Sequence, residues 1–143
     1  MTEKVFVDTN ILLYAQDAGS GRKHEIAAQV VRELWHQGAG VLSMQVLQEF
    51  YVNVTRKVSI PLSRSQAQSV VGDYLEWAME TTSSDIEAAF QIENESGISF
   101  WDALIVASAA KSGASRILSE DLNSGQRIAG VVIENPFVPS GNR

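Results

Sequence analysis

The stretch "KVFVDTN", residues 4–10, runs a short apolar segment directly into an acidic side chain. Val5, Phe6 and Val7 form an uninterrupted apolar run, which is typical of a strand buried on both faces of a sheet. Asp8 follows at once, and the apolar sequence "ILLYA" then begins. A carboxylate at the end of a buried strand predicts either the cap of a following helix or a ligand for a metal ion.

Strand patterns and helix patterns alternate along the chain. Strand patterns occur at residues 5–7, 40–43, 115–121 (where a strand runs into two acids) and 130–136. Helix patterns lie within residues 9–15, 25–38, 44–58, 60–80, 81–97 and 99–113, and residues 17–24 form a polar, Gly-rich loop. The alternation predicts an α/β fold with a mostly parallel sheet. Because no repeat, low-complexity tract or linker divides the chain, we expect a single domain, residues 1–143.

Composition excludes several classes of function. The 143 residues contain no cysteine, so the chain can form no disulfide or thiolate site. The formal net charge of −6 argues against non-specific binding to nucleic acid, unless bound divalent cations reverse the local sign. The first residues lack the pattern of a signal peptide, and the longest apolar stretch, residues 103–110, is far below the roughly 20 residues of a membrane helix. We therefore expect a cytoplasmic protein that does not bind a membrane.

Four acidic residues carry the functional argument. Asp8 and Asp121 each follow a predicted strand, and either one alone is explained by a helix cap or a turn. Asp102 lies in the first turn of an almost wholly apolar helix, where a carboxylate needs a partner. Glu49 flanks the apolar stripe of its helix, and its local pattern favours a solvated helix face.

Together these acids suit a hard divalent cation. Oxygen ligands favour Mg²⁺ or Mn²⁺ over zinc. His24 and His36 are twelve residues apart, at opposite ends of one helix, so they form no i, i+4 ligand pair. Carboxylates that hold such an ion are typical of phosphodiester hydrolysis, in which the metal activates water and stabilises the leaving oxygen.

Four segments resemble, in order and spacing, the motifs of PIN-domain ribonucleases, above all those of the bacterial VapC-type toxins. The segments are "VFVDTNILLYA" (5–15), "LQEFYVNVTRK" (47–57), "ISFWDALIVASAAKSGA" (98–114) and "RILSEDLNSGQRIAGVVIENPF" (116–137). The resemblance implies a three-layer α/β/α sandwich with a central, mostly parallel sheet. It further implies a Mg²⁺- or Mn²⁺-dependent endoribonuclease that acts on an RNA substrate, forms a homodimer and is inhibited by a cognate antitoxin in a type II toxin–antitoxin system.

The resemblance also assigns roles to individual residues. It implies that one or two metal ions are held by the four catalytic acids Asp8, Glu49, Asp102 and Asp121. Glu49 owes its place in this set to the resemblance alone, because its local pattern favours solvent exposure.

Other polar residues are expected around these acids. Asn10 and Ser119 match positions that usually support the metal ligands. Glu120 departs from the pattern and is expected to be either a spare ligand or a solvent-facing side chain. Among the basic residues, Arg22 and Lys23 in the predicted loop are the candidates for contact with RNA phosphates.

Three alternatives remain beside the ribonuclease. A phospho-acceptor module is disfavoured because "VVIENPF" (131–137) offers no lysine after a late strand. A PIN-like domain could instead cut DNA, or bind RNA or protein without cutting.

If an antitoxin exists, we expect an apolar groove near the active cleft, lined by the "ILLYA" and "EFYV" helices. The three tryptophans, at residues 35, 77 and 101, are expected in the core or at an interface.

Overall fold

Strands and helices alternate in the computed structural model, which describes residues 3–138. The strands are β1 (Val5–Val7), β2 (Gly40–Ser43), β3 (Ala78–Met79), β4 (Arg116–Leu118), β5 (Arg127–Ile128) and β6 (Val131–Glu134). The helices are α1 (Thr9–Gln16), α2 (Arg22–Gln37), α3 (Met44–Val54), α4 (Arg64–Tyr74), α5 (Ser83–Ser96) and α6 (Phe100–Ser112).

The strands form one sheet in the order β3-β2-β1-β4-β6-β5. Every neighbouring pair is parallel except β5 and β6, which are antiparallel. Strand β1 lies inside the sheet, with Val5 opposite Gly40 on one side and Arg116 on the other. The predicted α/β class with a mostly parallel sheet is therefore confirmed.

Helices cover both faces of this sheet. The three residues of β1 point alternately to opposite faces and all are buried, so neither face is open at the centre. Helices α1 to α4 pack among themselves, α5 packs against α6, and α6 contacts β2, β4 and β6. This arrangement confirms the three-layer α/β/α sandwich. No helix within residues 3–138 has both the length and the apolar character needed to cross a bilayer.

Two short strands were not predicted from the sequence. Strand β3 has two residues and lies in the segment predicted to be the end of a long helix; that helix, α4, ends at Tyr74. Strand β5 also has two residues, and it joins β6 through Ala129 and Gly130, both at positive φ. A two-residue turn with this backbone matches the twist of a hairpin. Neither strand is long enough to show a side-chain period.

The predicted loop 17–24 is shorter in the structure. Ala18–Ser20 form a 3₁₀ turn, and α2 begins at Arg22. Gly21 has a φ of 63°, a conformation that glycine adopts without strain, and the chain reverses there. The two candidate phosphate contacts in this segment are therefore residues of a helix, and their assignment to a loop was wrong.

Asp17 is a buried acid that joins two connections on the helical side. Its carboxylate accepts hydrogen bonds from the backbone N–H groups of Gly19, Ser59 and Ile60, at 2.8–3.1 Å. The connection between α1 and α2 is thereby fixed to the connection between α3 and α4. Although burial opposes ionisation, these hydrogen bonds lower the pKa of Asp17 below its ordinary value.

Trp77 is buried in the core, which is one of the two locations expected for the tryptophans. It packs on Gly40 at the start of β2. A Cβ atom on Gly40 would lie 2.6 Å from three carbons of the Trp77 ring. The ring is fixed in turn by Tyr74 and Trp35, whose ring centroids lie 5.4 and 4.8 Å away. Trp35 and Trp101 are outside the core, with 40% and 63% of their surface exposed.

We predict that Gly40→Ala destabilises the protein by about 1–3 kcal/mol, because the added methyl group must displace a packed ring. Urea denaturation followed by circular dichroism measures this loss. Gly72 in α4 is the matched control: a Cβ there meets no atom within 4 Å, so Gly72→Ala should stabilise by about 0.4–1 kcal/mol. Equal effects of the two variants on stability would show that the contact with Trp77 does not limit the size of the side chain at residue 40.

We predict that Asp17→Asn lowers the urea midpoint at pH 7 and that the difference from wild type shrinks towards pH 3. The folded-state pKa of Asp17 is depressed, so its stabilising effect is complete above the ordinary value of 3.8 and is lost as the pH falls below it. Urea titrations at pH 7, 5, 4 and 3 test this. A difference that stays constant over this range would mean that the charge of Asp17 contributes nothing.

Candidate active site

The carboxyl ends of β1 and β4 meet at one edge of the sheet. Because the two strands are parallel neighbours, the residues that leave them emerge side by side, and the backbone N–H of Asp8 still donates to Leu118 O at 3.0 Å. Asp8 follows β1, and the turn from Ser119 to Asp121 follows β4. Two of the four predicted acids therefore lie at the same edge.

Asp8 caps α1 and also belongs to this polar cluster. Its Oδ1 accepts from the backbone N–H of Thr9 at 2.7 Å, and its Oδ2 accepts from Ser119 Oγ at 2.7 Å. Burial raises the pKa of Asp8 to about 6, and the negative charges of Asp121 and Glu49 act in the same direction. The two explanations that the sequence left open for Asp8 are compatible, because one carboxylate oxygen is enough for the cap.

Asn10 and Ser119 hold the turn that carries Asp121. Asn10 Nδ2 donates to Asp121 Oδ2 at 3.0 Å, and Asn10 Oδ1 accepts from the backbone N–H of Glu120 at 3.1 Å. Ser119 is fully buried, and its Oγ accepts from the backbone N–H of Asp121 at 3.2 Å. Both residues predicted to support the acids therefore contact them directly.

Glu49 reaches the same cluster from α3. Its Oε2 accepts from Thr9 Oγ1 at 3.3 Å, and its Oε1 accepts from Gln45 Nε2 at 3.0 Å. Thr9 is buried beside Asp8, so it connects the two acids. Neither Thr9 nor Gln45 was predicted from the sequence to belong to the site. The four-residue spacing of Gln45 and Glu49 on one helix face was the available signal for the second.

Asp102 lies in the first turn of α6, half-buried, where its backbone N–H donates to Ser99 Oγ at 3.2 Å. Helix α6 leads into β4, so its first turn lies towards the carboxyl edge of the sheet. Among residues 3–138, the hydrogen bonds that link the other three acids do not extend to Asp102. The structure thus joins Asp8, Glu49 and Asp121 in one network and leaves Asp102 outside it.

No ion pair between residues 3–138 joins this cluster to a lysine or an arginine. In the described part of the chain, the four ion pairs of Lys and Arg involve Glu120, Asp85, Glu3 and Glu134. Gln45 Oε1 is a buried acceptor without a partner there. Clustered oxygen donors, carboxylates without counter-charge and an unpaired buried oxygen fit a hard divalent cation.

The geometry also limits how such an ion could be held. Within residues 3–138, no three carboxylates or imidazoles converge closely enough to bind one ion together. Mg²⁺ usually keeps several of its waters and is held by one or two carboxylates. The donor set therefore fits an ion bound partly through water.

Glu120 neither faces solvent nor lies free beside the other acids. Its Oε1 accepts from Tyr14 Oη at 2.8 Å, and its Oε2 pairs with Lys23 Nζ. Although burial opposes ionisation, these two contacts lower the pKa of Glu120 below its ordinary value. Lys23 is thus engaged by a protein carboxylate, whereas Arg22, the other expected RNA contact, is exposed in the first turn of α2.

The family model of the PIN domain matches residues 5–130 of this chain. This range contains β1 through the hairpin turn, with all four predicted acids. A comparison with curated protein sequences found no significant match.

Solved structures share this fold. VapC20 of Mycobacterium tuberculosis, described as a toxin that cleaves the sarcin–ricin loop, is 22% identical with a TM-score of 0.63, over 82% of this chain and 90% of that one. A toxin–antitoxin complex from Klebsiella pneumoniae gives 18% identity and a TM-score of 0.68, over 94% and 98%. VapBC2 from Rickettsia felis, bound to DNA from its promoter, gives 19% and 0.65, over 92% and 97%. At these identities the likeness shows the fold alone.

We predict that Asp8→Asn raises the melting temperature of the metal-free protein by about 5 °C at pH 7.5. The folded-state pKa is raised to about 6 from 3.8, so the ionised carboxylate destabilises the fold above pH 4, and fully so above pH 6. Thermal unfolding in EDTA at pH 7.5 and pH 4 measures the gain, which should vanish at pH 4. Asp73→Asn, at an exposed acid of α4, is the matched control and should change little. A gain that persists at pH 4 would rule out the buried charge as its cause.

Proposed function

Because this chain belongs to the PIN domain family, we propose that it is a nuclease that hydrolyses phosphodiester bonds of RNA. The observation that carries the proposal is the network of Asp8, Glu49 and Asp121 at one sheet edge, which forms no ion pair with a lysine or arginine among residues 3–138. Carboxylates that repel one another in the free protein are typical of a site that gains stability when a divalent cation binds.

The residues of the proposed site have two roles: some would hold the metal ion, and others orient the side chains that hold it. Asp8, Glu49, Asp102 and Asp121 are the proposed ligands of Mg²⁺ or Mn²⁺, directly or through water. When bound, the cation would lower the pKa of the attacking water and neutralise charge on the phosphate. Ser119 fixes the orientation of the Asp8 carboxylate, and Asn10 fixes that of Asp121. Through these hydrogen bonds, the two residues hold each carboxylate in a fixed orientation relative to an approaching phosphate.

RNA is the substrate that the comparisons favour over DNA. The neighbour from Mycobacterium tuberculosis is described as cleaving the sarcin–ricin loop, which supports an RNA target for the same fold. The DNA in the Rickettsia felis complex is a fragment of the promoter of the toxin–antitoxin pair, bound to that pair, and is not described as a substrate. A toxin-type ribonuclease is consistent with both neighbours.

An antitoxin partner is the second part of the proposal, supported by the neighbours that are toxin–antitoxin complexes. A cavity of about 370 Å³ lies between α1, α2 and α4, with an apolar lining from Ala15, Val31, Trp35, Val70 and Tyr74. It could take one apolar face of an antitoxin helix. Of the two segments expected to line such a groove, "ILLYA" contributes through Ala15, whereas none of the described residues that line the cavity belongs to "EFYV" (49–52).

We predict that the purified protein cleaves a labelled RNA pool with Mg²⁺ or Mn²⁺, and that EDTA abolishes the cleavage. Asp8→Asn and Asp121→Asn should each lower the cleavage rate at least 100-fold, because each removes a proposed ligand. Asp73→Asn, at an exposed acid outside the network, should cleave at the wild-type rate. The protein is first unfolded and refolded to remove any bound inhibitor.

The alternatives give different results in the same experiment. Cleavage of a matched single-stranded DNA pool at a higher rate than RNA would favour a DNA nuclease. RNA binding in a gel-shift assay without cleavage under either metal would favour a domain that binds without cutting. Cleavage that survives both substitutions would show that the acids at this edge are not the site.

A further inference from the structure

We propose that Glu120 is a positioning residue, which together with Tyr14 and Lys23 fixes the turn that carries Asp121. We call these three residues the clamp. Under this proposal Lys23 acts on the turn through Glu120 and does not bind RNA. The inference rests on the proposed function, since it assigns Asp121 to the metal site.

The turn after β4 needs such support. Asp121 is exposed, and the sheet holds the turn only at its start, where the backbone N–H of Ser119 donates to Glu134 O at 3.0 Å. Beyond Ser119, the backbone is no longer part of a strand. Inside the turn, Ser119 Oγ accepts from the backbone N–H groups of Asp121 and Leu122. The other contacts that hold the turn come from side chains of the neighbouring helices.

Helix α1 supplies two of these contacts from one face. Asn10 and Tyr14 are four residues apart, so their side chains lie on the same side of the helix. Asn10 binds the backbone N–H of Glu120 and the side chain of Asp121, while Tyr14 Oη donates to the carboxylate of Glu120. The turn is thus bound to α1 at two levels of the helix.

Helix α2 supplies the third contact through Lys23. Its Nζ pairs with Glu120 and lies 5.1 Å from the ring centroid of Tyr14 and 5.6 Å from that of Phe137. The Phe137 ring packs edge-on against Tyr14, with the centroids 5.2 Å apart. The two rings thus border the ammonium group and add a cation–π contact to its pairing with the carboxylate.

These contacts argue against two roles expected from the sequence, Glu120 as a metal ligand and Lys23 as a contact of RNA phosphates. Each carboxylate oxygen of Glu120 already has a protein partner, so a metal bound there would share both oxygens with Tyr14 and Lys23. Likewise, a phosphate at Lys23 would share the ammonium group with Glu120, whose charge repels it. A clamp explains why these side chains are engaged with one another beside the acids.

The test measures Mn²⁺ affinity and the mobility of the turn in three conservative variants: Tyr14→Phe, Lys23→Met and Glu120→Gln. We expect each to raise the Mn²⁺ dissociation constant, measured by electron paramagnetic resonance without RNA, by about 10-fold. The double variant Lys23→Met/Glu120→Gln should bind Mn²⁺ no more weakly than whichever of its two single variants binds Mn²⁺ more weakly, because both substitutions break the same ion pair. Lys57→Met, at an exposed lysine outside the clamp, should match wild type.

Hydrogen exchange of the amides of residues 120–122, measured in EDTA, gives a readout that needs no metal. We expect faster exchange in all three variants and unchanged exchange in Lys57→Met. Unchanged exchange in Tyr14→Phe and Lys23→Met would overturn the clamp, whatever the protein cleaves. Melting temperatures of the variants show that each remains folded at the temperature used.

Other outcomes identify which role replaces the clamp. If Lys23→Met raises only the KM for RNA and leaves Mn²⁺ affinity unchanged, Lys23 is an RNA contact and the inference is wrong. If only Glu120→Gln weakens Mn²⁺ binding, as strongly as Asp121→Asn, Glu120 is a metal ligand. If Asp8→Asn leaves both Mn²⁺ binding and cleavage unchanged, the proposed function fails, and hydrogen exchange alone decides the clamp.

Discussion

Asp8 directly follows β1, whose three residues are all buried, and the rest of the site is arranged around its carboxylate. One of its oxygens caps α1 and the other accepts from Ser119. The first bond fixes the direction of α1 relative to the sheet, and the second ties β1 to the turn after β4. Because Asp8 is half-buried and lies near two other acids, its ionised form is unfavourable in the free protein, and desolvation raises its pKa to about 6.

Uncharged donors, and not cations, stabilise this cluster. Thr9, Asn10, Ser119 and Gln45 all direct hydrogen atoms towards the acids, while the described lysines and arginines that form ion pairs do so elsewhere. Hydroxyl and amide donors orient a carboxylate without neutralising it. The cluster therefore keeps the negative charge that a divalent cation requires, in a protein whose formal net charge is −6.

Two carboxylates outside the cluster hold the connections around it. Asp17 binds three backbone N–H groups and fixes the connection between α3 and α4 to the end of α1. Glu120 accepts from Tyr14 and pairs with Lys23, so it joins the turn after β4 to α1 and α2. Helix α1 is thus held at its start by Asp8, in its last turn by Tyr14 and just beyond that turn by Asp17.

The sequence by itself determined the fold class, the order of the main elements and the edge of the sheet at which Asp8 and Asp121 lie. It could do so because a continuous apolar run, a helix cap and a Gly stop are local signals, and parallel strands bring their carboxyl ends to one edge. Only the tertiary structure decided which side chains meet. The bond from Thr9 to Glu49 spans 40 residues and the pair of Lys23 with Glu120 spans 97, so no local pattern contains either. For the same reason β3 and β5, two residues each, are defined by the strands beside them and not by their own sequence.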